Sequence, residues 1–160
     1  MGIMLMPDPT KALKELYRTV KPNGKCCVVI PQHLTHRDIA MRVIKRLRGP
    51  EGNYDRPLTL WKEDWESGEY IVSQLENAGF TGVVCEEWLA HLFWRGMDGT
   101  KAAVENFSRL YGTSVDFKDG EREVWPKVWE EQLIEECSTP EGLKMTQGIN
   151  IVWGTKVNSI

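Results

Sequence analysis

The stretch from Asp8 to Ile30 constrains the fold more than any other part of the chain. Asp8 stands before Pro9 and Thr10, a capping carboxylate followed by a residue whose fixed φ suits the first helical turn. Ala12, Leu13, Leu16, Tyr17 and Val20 then recur at the spacing of one helix face. Lys21-Pro22-Asn23-Gly24 stops that helix and turns the chain, and Asn tolerates the positive φ a tight turn asks for. Cys26-Cys27-Val28-Val29-Ile30 follows without a polar break. A continuous apolar, β-branched run of this kind predicts a strand buried on both faces, as in a parallel sheet flanked by helices.

The rest of the chain repeats the alternation. A helix is expected over Thr35 to Leu47, with Ile39, Val43, Ile44 and Leu47 on one face and Gly49-Pro50 as its stop. Its other side carries Arg37, Arg42, Lys45, Arg46 and Arg48, which reads as a solvated face or as an attractor for an anion. A polar loop over Gly49 to Pro57 leads to a helix over Asp64 to Ala78, closed by Gly79. Val83-Val84-Cys85 opens a second strand that runs towards Trp88. Helices are expected over Lys101–Tyr111 and Trp125–Cys137, joined by a charged loop over Asp116 to Arg122. Pro140-Glu141-Gly142 breaks the chain before a last strand over Ile149 to Val157. Strands separated by helical segments define an α/β layered domain. Here that means one domain across residues 1–160, with a small three-stranded mixed sheet and flanking helices.

Charge and composition narrow the function. Lys and Arg number 20 against 23 Asp and Glu, a net charge of −3, so nucleic acid is not an expected partner. With 41% hydrophobic and 27% charged residues the chain has the balance of a globular protein. No apolar run approaches the ~20 residues that span a bilayer. The opening Met1-Gly-Ile-Met-Leu-Met lacks the basic flank and cleavage site of a signal peptide, so a cytoplasmic location is expected. Cys26, Cys27, Cys85 and Cys137 include no Cys-x-x-Cys pair. With His33, His36 and His91 they show no ligand spacing, so they read as reduced, buried thiols and no metal is expected. The chain holds 7 tryptophans, among them Trp61, Trp65 and Trp153, which fill a core or wall a large apolar pocket.

Three stretches taken together resemble the C-terminal half of a class I, S-adenosylmethionine-dependent methyltransferase of the ubiquinone/menaquinone-biosynthesis type. They are the segment from Met1 through Lys25, the passage Gln74-Leu-Glu-Asn-Ala-Gly-Phe-Thr-Gly-Val, and the closing Ile151-Val-Trp-Gly-Thr-Lys-Val. Asn23 stands where that family usually has a glycine. The resemblance implies a partial Rossmann-like fold in which the last strand lies antiparallel between the two before it. It also implies that the glycine-rich cofactor turn and the acidic ribose ligand belong to the other half of the fold, because neither has a counterpart in this sequence. The outer edge of the Cys26–Ile30 strand is then left bare, and a homodimer or a complementing chain is expected there.

The same resemblance places candidate sites. Gly2, Ile3 and Met4 match the stretch near the methionyl part of the cofactor, which would be S-adenosylmethionine only if another chain completes the fold. Gln32, His33 and His36 follow the Cys26–Ile30 strand, where the family meets its substrate. His33 and His36 are the candidate acid/base residues, set against a plainer reading of surface histidines beside a helix-capping Thr35. Trp88, His91, Trp94, Trp125 and Trp129 fall in the region that lids the substrate pocket, and imply a small apolar or aromatic acceptor. The alternatives are a non-catalytic pseudo-methyltransferase acting as a partner subunit or ligand-binding module, and a pocket reused for cyclase or isomerase chemistry. A truncated gene product beginning at an internal Met is a further reading.

Overall fold

A computed structural model of the chain describes residues 2–58 and 63–157. After a short 3-10 turn at Ile3–Leu5 come α1 (Pro9–Thr19), β1 (Lys25–Pro31) and α2 (Thr35–Arg48). A second 3-10 turn, Glu63–Glu66, precedes α3 (Gly68–Ala78), β2 (Thr81–Arg95), α4 (Gly96–Gly112) and α5 (Glu121–Cys137). The last described elements are β3 (Ser138–Thr139) and β4 (Gly142–Thr155). Trp61 lies outside the described residues.

The strands form one sheet in the order β1-β4-β2, with β3 paired to β4. β4 is antiparallel to β1, with Val28 opposite Val152 and Lys25 opposite Thr155. The expected order of the three long strands is therefore present, and the α/β class with it. Two expectations are corrected. The sheet has four strands, because the short β3 turns back on β4 through Thr139 and Gly142. It is antiparallel and not mixed: β4 lies between β1 and β2, and no parallel ladder forms among the described residues.

The residues gather into two compact units. The first comprises Met1–His33, Thr59–Ala90 and Gln147–Ile160. Its core is Leu13 of α1, Cys26, Val28 and Ile30 of β1, Ile71 and Leu75 of α3, with Phe80 and Val152. Burial along β1 alternates, with Cys26, Val28 and Ile30 inside and Lys25 and Cys27 exposed. This corrects the expectation of a strand buried on both faces. Helix α1 packs on α3 over one face of β1, and Cys27 on the other face is open.

Helix α1 starts and stops by local chemistry. The Asp8 carboxylate accepts the Lys11 amide at 2.9 Å, as expected of its N-cap. At the other end the ammonium of Lys156 donates to the carbonyls of Tyr17 at 2.9 Å, Arg18 at 3.2 Å and Val20 at 2.9 Å, and lies 4.8 Å from the Tyr17 ring centroid. These carbonyls have no partner further along the helix, so one distant lysine satisfies the helix end. Asn23 makes the following turn at φ 61.

The second unit comprises Leu34–Leu58 and His91–Thr146. Helix α5 packs against both α2 and α4. Ile39, Val43 and Ile44 of α2 meet Phe107 and Tyr111 of α4 and Trp125, Trp129 and Leu133 of α5 in one core. Three of the five basic residues on α2 hold carboxylates, of which Arg42 and Arg46 remain about half exposed and Arg48 is nearly buried. Arg42 pairs with Glu136, Arg46 with Glu135 at 2.9 Å, and Arg48 with Glu121 at 2.8 Å and Asp55 at 3.0 Å. Ascending arginines on α2 meet descending glutamates on α5, so the two helices run antiparallel. Glu121 also accepts the Lys118 amide at 2.9 Å, which starts α5 at Glu121 and not at the expected Trp125.

Candidate functional site

Two regions of the first unit and one of the second hold the residues singled out from the sequence. The first is a cavity of about 520 Å³ beside β1, lined by Gly2, Ile3, Met6, Leu16, Cys27 and Val28 among others. Glu15 and Thr19 at its border contribute the polar groups. It adjoins the sheet edge that has no strand beyond β1 among the described residues. Gly2 and Ile3 are thus on the cavity, while Met4, next in sequence, points into the core at 5% exposure.

The second region is a more polar cavity of about 560 Å³ past the end of β1. Gln32 lines it, with Ser67 and Gly68 at the start of α3, and Cys85 and Glu87 on β2. Asn150 of β4 organises this end of the unit. It is fully buried, its Nδ2 donates to the Glu66 carbonyl at 3.0 Å, and the Cys85 thiol sits 3.8 Å from its Oδ1. A Cβ at Gly68 would stand 2.8 Å from the Cys85 sulfur, so glycine lets α3 begin against β2 and β4. Burial and the nearby Glu87 raise the Cys85 thiol above its ordinary range, which keeps it protonated. His33 is an exposed residue of this unit, its amide donating to the Gly148 carbonyl at 3.4 Å.

The third region is the aromatic core of the second unit. His36 Nδ1 and the Tyr111 hydroxyl are 2.5 Å apart, and the imidazole stacks on Phe107 at 5.3 Å between centroids. Burial pushes His36 down to about 4, with the Arg37 guanidinium adding to the effect and Asp38 opposing it. His36 is therefore neutral at neutral pH. Burial raises both the Tyr111 and Tyr54 phenols, so both remain protonated. The Tyr54 hydroxyl donates to the Ala40 carbonyl at 2.9 Å. Trp125 and Trp129 are core residues, with Trp129 fully buried and stacked on Phe107 and Tyr111. The Trp129 indole N–H is buried with no hydrogen-bond acceptor among the described residues.

Of the remaining candidates, Trp88 and His91 lie outside these clusters and Trp94 packs against the third. Trp88 is 56% exposed, and its indole N–H donates to Glu86 at 3.0 Å. His91 is exposed and bonded to the Thr146 hydroxyl at 2.9 Å. Trp94 is partly buried against Phe107. Thr35 does not cap α2: the cap position is Leu34, and the Thr35 hydroxyl donates to the Thr146 carbonyl at 2.5 Å. Of the thiols only Cys26 and Cys137 are buried, and Cys27 is exposed, a correction to the reading of all four as core residues.

Asn150, Tyr54 and Tyr111 are the members that sequence reasoning did not single out for a polar role. A lone amide inside Ile149-Asn-Ile-Val was the available signal for the first. Among the described residues, no three His, Cys, Asp or Glu side chains gather as metal ligands. No helix there is long and apolar enough to cross a membrane. A scan against models of known protein families finds no match, and a search of curated proteins finds none.

Proposed function

We propose that this chain is the substrate-side half of a class I methyltransferase-like protein, acting on a small apolar or aromatic acceptor. The observation that carries the reading is the sheet: β4 lies between β1 and β2, antiparallel to β1, the arrangement the family resemblance implies. The open edge of β1 beside an apolar cavity supports the second part of the proposal, that a further strand pairs there. That strand comes from a second copy, from a complementing chain or from residues outside this sequence. S-adenosylmethionine binds only where the added segment brings a glycine-rich turn, because backbone amides in such a turn hold the cofactor. Gly2 and Ile3, at the cavity, then approach its methionyl end. His33 and His36 stay the acid/base candidates, and the burial of His36 favours His33.

A second reading, a ligand-binding partner without transfer chemistry, is favoured by one observation: the His36 ring is engaged by Tyr111 and Phe107, which makes it a packing group as it stands.

Calorimetry on the isolated chain tests the proposal. S-adenosylmethionine should give no binding heat, while indole, a small apolar aromatic probe, should bind. Tight S-adenosylmethionine binding would overturn the division into halves, and failure to bind indole would overturn the substrate-side assignment.

A further inference from the structure

We propose that a cavity of the second unit, bounded by α4 and α5, binds a small planar aromatic monocarboxylate. The cavity measures about 380 Å³, within the range of small-molecule sites. Its lining includes Arg109, Arg122, Phe117, Trp125, Gly112 and Glu105.

Three features select the ligand. The first is unspent positive charge. Arg18, Arg42, Arg46, Arg48 and Arg56 each hold a carboxylate, whereas Arg109 and Arg122 hold none among the described residues. Guanidinium groups match the planar, two-oxygen face of a carboxylate. The second feature is the wall. Phe117 and Trp125 stand edge to face with centroids 5.4 Å apart, and Arg122 lies 4.7 Å over the Phe117 ring. The Trp125 indole N–H is spent on the Ser108 carbonyl at 2.8 Å, so this residue offers the cavity apolar surface and no donor. A flat ring fits there with its carboxylate turned to the arginines. The third feature is Glu105, the single acid on the lining, which leaves one net positive charge and disfavours a dianion such as phosphate.

Gly112 supplies an uncharged way to fill the site. A methyl group there would stand 3.4 Å from the Trp125 indole nitrogen and 3.7 Å from the Phe117 ring, in contact without a clash. The proposal rests on the second unit alone and is independent of the β1 edge.

The test is a titration of the full chain with benzoate, benzamide and inorganic phosphate, read by calorimetry and by the NMR signal of the Trp125 indole N–H. Benzoate should bind and shift that signal, with benzamide and phosphate each at least about tenfold weaker. Arg109→Gln and Arg122→Gln should each weaken benzoate by about tenfold. Glu105→Gln should strengthen it, and Gly112→Ala should abolish it while the circular dichroism stays unchanged. Cys27→Lys, at the β1 edge, should leave benzoate affinity as it is. Equal affinity for benzamide would overturn the role of the charge, and equal affinity for phosphate the role of the rings. No benzoate binding at millimolar concentration, or binding indifferent to both arginine changes, would overturn the site itself.

Discussion

The imidazole of His36 is held through Nδ1 to the hydroxyl of Tyr111 at 2.5 Å and stacks on the Phe107 ring at 5.3 Å between centroids. A histidine in such a place is a stability element first, because its charged form loses more on burial than its neutral form. Its neutral state makes folding depend on pH. Burial lowers His36 to about 4 from an ordinary 6.5, so the unfolded chain binds the proton first as pH falls. The contribution is fully present above pH 6.5 and is lost as pH drops from there to about 4. The expected loss is about 3 kcal/mol. Urea unfolding midpoints measured across that range for the wild type and for His36→Gln should converge towards acid, with the flatter profile in the variant.

Tyr111 should matter through the same bond. Tyr111→Phe leaves the ring packing but removes the partner of Nδ1, at a cost of about 1–3 kcal/mol. Combining it with His36→Leu should cost less than the sum of the two single changes, which a double-mutant cycle reads directly.

Arg48 ties three segments of the second unit together. Besides Glu121 and Asp55, it donates to the carbonyl of Asp116 at 3.0 Å, and its side chain is only 10% exposed. The hydrogen bond from Arg48 lowers the Glu121 carboxyl; the Asp116 amide and then Arg48 lower Asp55. Both acids therefore stabilise the fold above their ordinary range, and this is lost as pH falls through their lowered values. Arg48→Met should destabilise by about 2–3 kcal/mol, and Arg48→Lys should recover little because one ammonium cannot serve both carboxylates in the same fork geometry.

Gly142 begins β4 at φ 138, and a Cβ there would collide with the Trp94 carbonyl. Gly142→Ala should cost at least about 1–3 kcal/mol, visible as a lowered melting temperature. Lys156→Met is the matching test in the first unit. It strips three carbonyls of their donor and should cost about 1.5–3 kcal/mol, with faster amide exchange in the last turn of α1.

What the residues disclose in advance follows from how local each signal is. The cap at Asp8, the turn at Asn23 and the stop at Gly79 are written in neighbouring residues, and each sits where it was expected. Strand β1 was legible as a strand but not as a half-covered one, because its apolar run does not say how many layers lie over it. The pairing of α2 arginines with α5 glutamates was hidden, since residues 42 and 136 are distant in sequence and charge runs alone do not name their partners. For the same reason His36 was visible as a candidate, while its engagement by Tyr111 was not. In sequence, Lys156 reads as one more residue of the last strand, and its role depends on α1 ending beside it.

Pairing at the β1 edge is tested most directly by sedimentation velocity of the purified chain at micromolar concentration, with Cys27→Lys beside the wild type. Cys27 is exposed on the open strand, so the lysine places a charge at the β1 edge without disturbing the core. The wild type should sediment as a species heavier than the 18.4 kDa protomer and the variant as a monomer. A wild type that sediments as a clean monomer, indistinguishable from Cys27→Lys, would contradict pairing of the β1 edge with a second copy of this chain.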